Sequence, residues 1–174
     1  MTILASGISD VANKRHIMGN MSSDSFVYNA GNEINTYEKV ELILYFATDD
    51  GKELMPVYRS VVYNSNILMV RLAIEQLLSG PNTDFAYPTL NPQTKINSVS
   101  VRDGVCYVDF DKNFLMQPNT VSAEAAIYSL VNTVCAISDV NKVQISVNGS
   151  TDVMFMESIS LSTVFERNLD IVSD

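Results

Sequence analysis

The length, composition and charge of the chain indicate one folded domain and exclude several classes of protein. Its 174 residues are 47% hydrophobic, which is enough for a core and too much for a disordered chain. The formal net charge is −9, and the 11 Lys and Arg residues never cluster beyond the pair Lys14–Arg15, so there is no basic stripe for nucleic acid or anionic lipid. The sequence has no run of about 20 apolar residues, so no membrane span is expected.

The first 36 residues differ in character from the rest. They are rich in Ser and Asn and show little periodicity, so residues 1–36 are predicted to be a linker or flexible N-terminal arm, and residues 37–174 a single domain that includes a wrapped C-terminal tail. An arm that folds onto a partner, through a short amphipathic helix containing Ile8 and Val11, is the alternative. The start of the chain lacks the basic segment of an export signal, so we expect either a cytoplasmic protein or a chain without its export segment.

The next part of the chain predicts a ribbon of two strands. Alternating apolar residues over residues 40–46 indicate a strand, and Asp49–Asp50–Gly51 indicates a turn in which the glycine can adopt positive φ. Residues 54–62 are expected to form the return strand. Pro56 cannot donate a ladder hydrogen bond, so this strand is expected at a sheet edge or with a bulge at that point.

A helix is expected after the ribbon, followed by a second ribbon. Apolar residues recur at helical spacing over residues 70–77, and Gly80 with Pro81 ends the helix because glycine accepts the left-handed cap conformation and proline cannot continue the helix. Residues 96–110 then predict two strands that reverse at Asp103–Gly104, a two-residue turn of the favoured primed type.

The last part of the chain completes the predicted fold. Ser122 can cap a second helix, residues 142–147 indicate a further strand, and the tail over residues 153–172 is less regular. The predicted order is β-β-α-β-β-α-β with a C-terminal tail. This order favours an α+β fold in which two helices pack on one face of a mostly antiparallel sheet.

The sequence contains no recognisable catalytic or metal-binding set, so no catalytic residue, cofactor or metal ion is expected. His16 is the only histidine and lies in the predicted arm, and no Cys/His spacing suits zinc. Asp109 and Asp111 lie two residues apart and could act as an acid and a base, although a solvated strand end is the simpler interpretation. Cys106 and Cys135 are expected to be buried thiols, and a bridge between them is left open.

Three tyrosines suggest one binding function. Tyr63, Tyr87 and Tyr107 could build a platform on which sugar rings stack, and Tyr87 and Tyr107 are the candidate glycan contacts. The chain has no tryptophan, which weakens this hypothesis. Tyrosines at sheet edges more often pack as amphipathic side chains.

Several short phrases occur in a fixed order along the chain. They are Tyr45–Phe46 before the acidic turn, Leu77–Leu78–Ser79–Gly80–Pro81, Ser98–Val99–Ser100–Val101 before the Asp103–Gly104 turn, Val108–Asp109–Phe110, Val143–Gln144–Ile145 and Phe165–Glu166–Arg167–Asn168–Leu169. Each phrase alone is common. Their joint order resembles that of a GerM domain, a module of bacterial sporulation and germination proteins.

The resemblance to GerM domains implies both a fold and a role. The fold of that family is similar to the ring-building modules of bacterial secretion systems and of the sporulation channel. The implied role is that of a non-catalytic module of the cell envelope, often exported as a lipoprotein, which acts by protein–protein interaction or as an assembly scaffold in sporulation or germination. Its expected partners are envelope proteins or its own copies, bound through edge strands or outer helix faces. A module that binds peptidoglycan or another polysaccharide is the alternative.

Overall fold

The computed structural model of the chain describes residues 25–30, 33–64, 67–117 and 120–174, and it confirms the predicted α+β class. The predicted arm up to residue 24 and His16 lie outside the described residues. The elements in chain order are β1 Ser25–Ala30, β2 Glu33–Ala47, β3 Leu54–Asn64, α1 Met69–Leu78, β4 Ile96–Arg102, β5 Val105–Phe110, a 3₁₀ helix Lys112–Leu115, α2 Ala123–Cys135, β6 Lys142–Val147, β7 Met154–Phe155, β8 Ile159–Ser160 and β9 Phe165–Glu166.

The described residues form two compact units. One comprises Ser60–Met69 with the described residues up to Glu41, and the other comprises Leu42–Arg59 and Val70–Asp174. In the first unit, β1 pairs antiparallel with the beginning of β2. Strand β2 thus begins before the boundary at residue 37 that the sequence suggested, and the division of the chain at residue 36 stays a prediction. Every feature discussed below lies in the second unit unless stated otherwise.

The strands form three hydrogen-bonded sheets, where the sequence suggested one. Their orders are β1-β2-β3, β4-β5-β6-β9 and β7-β8. In the four-stranded sheet, β4 and β5 form the predicted hairpin, and its turn residues Asp103 and Gly104 have φ of 52° and 76°, as a primed turn requires. Strand β6 lies parallel to β5, because α2 carries the chain back between them, and β9 closes the sheet antiparallel to β6.

One part of the core lies between the inner face of the four-stranded sheet and α2, and buried side chains of β2, β3 and α1 form the rest. Alternate residues of β5 and β6 are buried, and α2 contacts both β6 and β9. Ser122 caps α2, as predicted, by accepting a hydrogen bond of 3.0 Å from Ala125 N. The buried residues with the largest side chains include Phe110, Phe114 and Phe155; the rings of Phe110 and Phe114 stack, and that of Phe155 contacts Phe114 in a tilted arrangement.

Polar side chains of α2 separate the first ribbon from the four-stranded sheet. Thr133 Oγ1 accepts a hydrogen bond of 3.0 Å from Tyr45 N, and Ser129 Oγ donates one of 2.6 Å to Tyr45 O. Asn132 binds the backbone of Asn168 in the tail through both ends of its amide. Since helix side chains occupy the backbone groups of β2 at Tyr45, no further strand pairs there, and the two predicted ribbons belong to different sheets.

Two other strand edges are covered by irregular segments. Ala47 of β2 exchanges two backbone hydrogen bonds with Tyr87, of 3.0 and 2.9 Å. Leu54 of β3 donates to Ile171 O at 2.9 Å and accepts from Ser173 N at 2.8 Å, so the tail pairs with the start of β3. The C-terminal tail therefore covers the first residue of β3.

The end of α1 combines the predicted glycine with an arginine that sequence patterns did not indicate. Gly80 has a φ of 82° and follows the helix, as expected of a C-cap. The Arg59 guanidinium donates to Gln76 O at 2.9 Å and to Gly80 O at 2.7 Å, which satisfies carbonyl groups at the negative end of the helix dipole. Desolvation lowers the pKa of Arg59 from its usual value.

Candidate functional site

The outer face of the four-stranded sheet is polar and carries one of the two candidate glycan residues. Because residues paired across strands share a face, this face is formed by Ser98, Ser100, Arg102, Val105, Tyr107, Asp109, Lys142, Gln144 and Ser146. Tyr107 lies between Ser100 and Gln144 and is 38% exposed. The Arg102 guanidinium lies 5.6 Å from the centre of the Tyr107 ring, so a cation already contacts this aromatic side chain.

Tyr87 lies elsewhere, beside the end of β2. It is 47% exposed, and it lines a cavity of about 160 Å³ with Thr48, Asp49, Gly51, Thr120 and Val121. Among the described residues no ring contact joins Tyr87 to Tyr107, and Tyr63 belongs to the other compact unit. The three tyrosines therefore make separate contacts, and the assignment of Tyr87 and Tyr107 to glycan binding stays a prediction.

Asp109 is the centre of a hydrogen-bonded cluster at the end of β5. Its Oδ1 accepts from Ser146 Oγ at 2.6 Å and from Gly149 N at 2.7 Å, and its Oδ2 accepts from Asn97 Nδ2 at 2.9 Å. Burial raises the pKa of Asp109, but the hydrogen bonds from Ser146, Asn97 and Gly149 outweigh it, so its pKa lies below the usual 3.8. This carboxylate joins the ends of β4 and β6 to the turn that follows β6.

Asp111 has a different set of partners. Its side chain caps the 3₁₀ helix by accepting from Asn113 N, and it also accepts from Lys95 N at 2.9 Å. The chain leaves the strand at Asp111, so the pair with Asp109 that an extended backbone would have formed is replaced by two separate networks. Within the part of the chain that the structure describes, no group of three or more His, Cys, Asp or Glu side chains could hold a metal ion.

Both cysteines are free thiols in the structure, so the bridge that the sequence left open is not formed. Burial raises the pKa of Cys106 to about 12 and that of Cys135 to about 11. Thiols with such pKa values are almost fully protonated at neutral pH, and a protonated thiol is a poor nucleophile. Their positions fit the predicted role as small buried apolar groups, Cys106 fully and Cys135 in part.

The edge of β4 is one edge of this sheet that the described residues leave uncovered. Because the two-residue turn makes Arg102 and Val105 a hydrogen-bonded pair, the backbone groups of Val99 and Val101 point away from β5. Neither residue has a backbone hydrogen bond to any other part of the described chain. Val101 is also 39% exposed although its side chain lies on the inner face. The sequence predicted contacts through edge strands or outer helix faces in general, and the edge of β4 is one candidate for them.

None of the helices in the described ranges has the length and apolar character needed to cross a bilayer. No curated protein matches the sequence. The family Germane, described as sporulation and spore germination, matches residues 43–153. This region runs from β2 to the residues just before β7 and so includes both helices, the open edge of β4 and the Asp109 cluster.

Three solved structures resemble the fold at low sequence identity. The tandem GerMN domains of the sporulation protein GerM from Bacillus subtilis are 20% identical, with a TM-score of 0.63 over 78% of this chain and 48% of that one. The chain thus spans about half the length of that tandem protein. A "Putative Lipoprotein from Clostridium perfringens" is 20% identical, with a TM-score of 0.51 over 74% of this chain and 87% of the other. The first GerMN domain of GerM, 21% identical, gives a TM-score of 0.49 over 63% and 84%.

The family match and the fold agree with each other. The match covers well over half of the chain and contains the motif order noted in the sequence. The structural similarity to the tandem GerMN domains supports the same two-helix α+β arrangement. The chain therefore belongs to the Germane family of sporulation and spore germination domains.

Proposed function

We propose that this chain is a non-catalytic module of the cell envelope that holds proteins together during sporulation or germination, and that it does so through the open edge of β4. The family membership supports the biological process. The similarity to a structure named as a putative lipoprotein supports a place in the envelope. The proposal of a scaffold role rests on the chain's own surface.

The observation that carries the proposal is the contrast between β4 and the other strand edges described above. Side chains of α2 occupy the backbone of Tyr45, Tyr87 pairs with Ala47, and the tail pairs with Leu54. A free edge with an exposed apolar side chain invites an additional strand and hence aggregation, so proteins normally cover such edges. An open edge of this kind is a common docking site for a partner that adds a strand to the sheet.

The polar clusters support the non-catalytic part of the proposal. The oxygen atoms of Asp109 and Asp111 accept hydrogen bonds from neighbouring backbone and side-chain donors, and these bonds hold loops to strands. Burial keeps Cys106 and Cys135 protonated.

Site-specific photocrosslinking in the bacterium that encodes the chain tests this function. A benzophenone amino acid replaces Ser100, which lies beside the open edge, or Glu124, which is exposed on the first turn of α2. We expect a protein adduct from position 100 during sporulation or germination and none from position 124. Adducts from position 124 alone would place the contact on the helix and contradict the edge.

A proline substitution adds a functional measurement. The N–H of Val101 points away from β5, so Val101→Pro removes a donor from the open edge while leaving the ladder with β5 intact. We expect this variant to fold, to lose the crosslink from position 100, and to give fewer heat-resistant or germinating spores. Normal counts from Val101→Pro in a strain where deletion of the gene lowers them would refute the role of the edge.

A further inference from the structure

We infer that the partner of the β4 edge is a second copy of this chain, and that two β4 strands pair antiparallel about a twofold axis that passes beside Ser100. This inference rests on the proposed function and names its partner. The resulting sheet would run without a break from β9 of one copy, through both β4 strands, to β9 of the other.

The register follows from which residues of β4 direct their backbone N–H and C=O groups toward β5 and which direct them outward. Val99 and Val101 are the residues of β4 whose backbone groups point outward. A symmetric antiparallel pairing uses both of them when Val99 of one copy faces Val101 of the other, and Ser100 then faces Ser100. Registers centred on either valine would place the bulged residue Asn97 or the turn residue Asp103 in the ladder, and neither suits regular pairing.

The side chains are self-complementary in the same register. On the inner face each Val101 gains a valine neighbour, which covers part of its exposed surface. On the outer face Ser100 meets Ser100 and Arg102 meets Ser98, so no like charges lie opposite each other. The sequence Ser98–Val99–Ser100–Val101–Arg102 is therefore compatible with its own antiparallel copy.

The distribution of charge along the chain favours a dimer contact at β4. The protein has a formal net charge of −9, so two copies repel each other over most of their surfaces. Strand β4 contains none of the 20 acidic residues and has one cation, Arg102. The side chains of β4 therefore add no repulsion between acidic groups when two copies meet at this edge, and salt that screens the repulsion between the rest of the two molecules should strengthen the pair.

The contact between the two β4 strands is short, because the bulge at Asn97 ends regular pairing on one side and the Asp103–Gly104 turn ends it on the other. Its contact area lies below the roughly 1,600 Å² of a standard stable interface. We therefore expect a dimer that dissociates on dilution, not a permanent one. Attachment of many copies to one surface would raise its occupancy by increasing the effective concentration.

Charge exchange across the twofold axis tests the register. Sedimentation velocity of the purified chain should show a monomer–dimer equilibrium that shifts toward dimer with concentration and with salt. Ser100→Lys and Ser100→Glu should each be monomeric, because each places two like charges opposite each other, and an equimolar mixture of the two should dimerise again. Circular dichroism and urea midpoints equal to those of the wild type would show that the variants fold.

Ser98 supplies the matched control, since it is an exposed serine on the same face of the same strand. In the inferred dimer, Ser98 faces Arg102 of the other copy and not the other copy's Ser98. We expect Ser98→Glu to retain or strengthen the dimer, Ser98→Lys to weaken it, and a mixture of the two to show no restoration of the kind seen at position 100.

A disulfide across the axis gives an independent readout. With oxidised glutathione, two Ser100→Cys chains should lose two protons and two electrons to form one intermolecular disulfide, while each glutathione disulfide becomes two glutathione thiols. Ser98→Cys, whose facing residue is Arg102, should form this dimer much more slowly. The wild-type chain sets the background, and Cys106 is fully buried within it.

The outcomes separate this inference from the proposed function. A wild-type chain that stays monomeric at all concentrations, a mixture of position-100 variants that stays monomeric, or equal crosslinking at positions 98 and 100 would overturn the dimer. If the photocrosslink at position 100 in cells then captures only a different protein, the scaffold role stands and the second copy is wrong. If position 100 captures nothing, both fail.

Discussion

Replacing Gly51 by Ala should be among the most destabilising single-methyl additions in this chain. Gly51 lies in the turn between β2 and β3 with a φ of 69°, and its carbonyl oxygen accepts a hydrogen bond of 2.8 Å from Ser122 N. A Cβ atom built on Gly51 would lie 1.9 Å from Thr120 O and 3.3 Å from Val121 Cα. The turn therefore packs directly against the residues that precede α2, with no room for a methyl group.

The magnitude can be estimated from three contributions. The left-handed conformation costs an alanine roughly 1 kcal/mol relative to glycine. Relief of the overlap requires a backbone shift that breaks the Gly51–Ser122 hydrogen bond, which is worth about 1 kcal/mol. The same shift displaces Ser122 from its capping position on α2, at a cost of about 1 kcal/mol. We expect Gly51→Ala to lower the free energy of unfolding by about 3 kcal/mol.

Gly149→Ala is the matched control for this experiment. Gly149 has a φ of 80°, but a Cβ atom there would have no neighbour within 4 Å. It should therefore lose only the conformational contribution of about 1 kcal/mol. Urea unfolding followed by far-UV circular dichroism measures both variants, since the chain has no tryptophan for a fluorescence signal. Equal losses for the two variants, within about 0.5 kcal/mol, would refute the reasoning from close contact.

Three further predictions follow from the polar groups and tyrosines. The folded pKa of Asp109 lies below its usual 3.8, so its contribution to stability is present above that value and is lost as the pH falls through the folded pKa. The urea midpoint of Asp109→Asn should be lower than that of the wild type at pH 7, and the difference should shrink in acid; a constant difference would contradict this linkage. Cys106 and Cys135, with pKa values of about 12 and about 11, should react slowly with a thiol reagent at pH 8 in the native protein and rapidly in urea. Rapid reaction of both thiols in the native protein would show that burial does not protect them. Cosedimentation with purified peptidoglycan should be unchanged by Tyr87→Ala and by Tyr107→Ala, because Tyr87 lies in the loop that pairs with the end of β2 and Tyr107 lies on β5, so the two rings do not form one stacking platform; a loss of binding would favour the polysaccharide-binding alternative.

The elements of this fold that obey local rules could be predicted from the sequence. The Asp103–Gly104 turn, the glycine after α1 and the Ser122 cap each depend on the conformation or hydrogen bonding of residues that are neighbours in sequence, and the structure confirms all three. The strands β7, β8 and β9 are too short, at two residues each, to produce a recognisable alternation.

The division of the strands into separate sheets could not be predicted from periodicity. It depends on Ser129 and Thr133, which bind a backbone 84 and 88 residues earlier in the chain. A signal was nevertheless present: Ser129, Asn132 and Thr133 lie at i, i+3 and i+4 on a helix face that is otherwise apolar. Polar residues at that spacing on a buried face indicate that the helix docks on groups that need hydrogen bonds.

The candidate interface could be predicted only in kind. The sequence suggested edge strands or outer helix faces as contact surfaces, but the choice of β4 depends on which parts of the strand edges the rest of the chain leaves uncovered. Those covers come from Tyr87, whose loop has no periodic pattern, and from the tail near Ile171. Because such cover arises from long-range contacts, an open edge is a property of the folded chain and not of the strand's own residues.

The attachment of Tyr45 to α2 has a consequence for the dynamics of the molecule. The amide of Tyr45 is held by the hydroxyl of Thr133, so its hydrogen exchanges with solvent only when the helix and the end of β2 separate. The two residues are 88 positions apart in sequence, so the formation of this contact closes a long loop at a large entropic cost during folding. The protection of this single amide therefore reports on the stability of the contact between α2 and the end of β2.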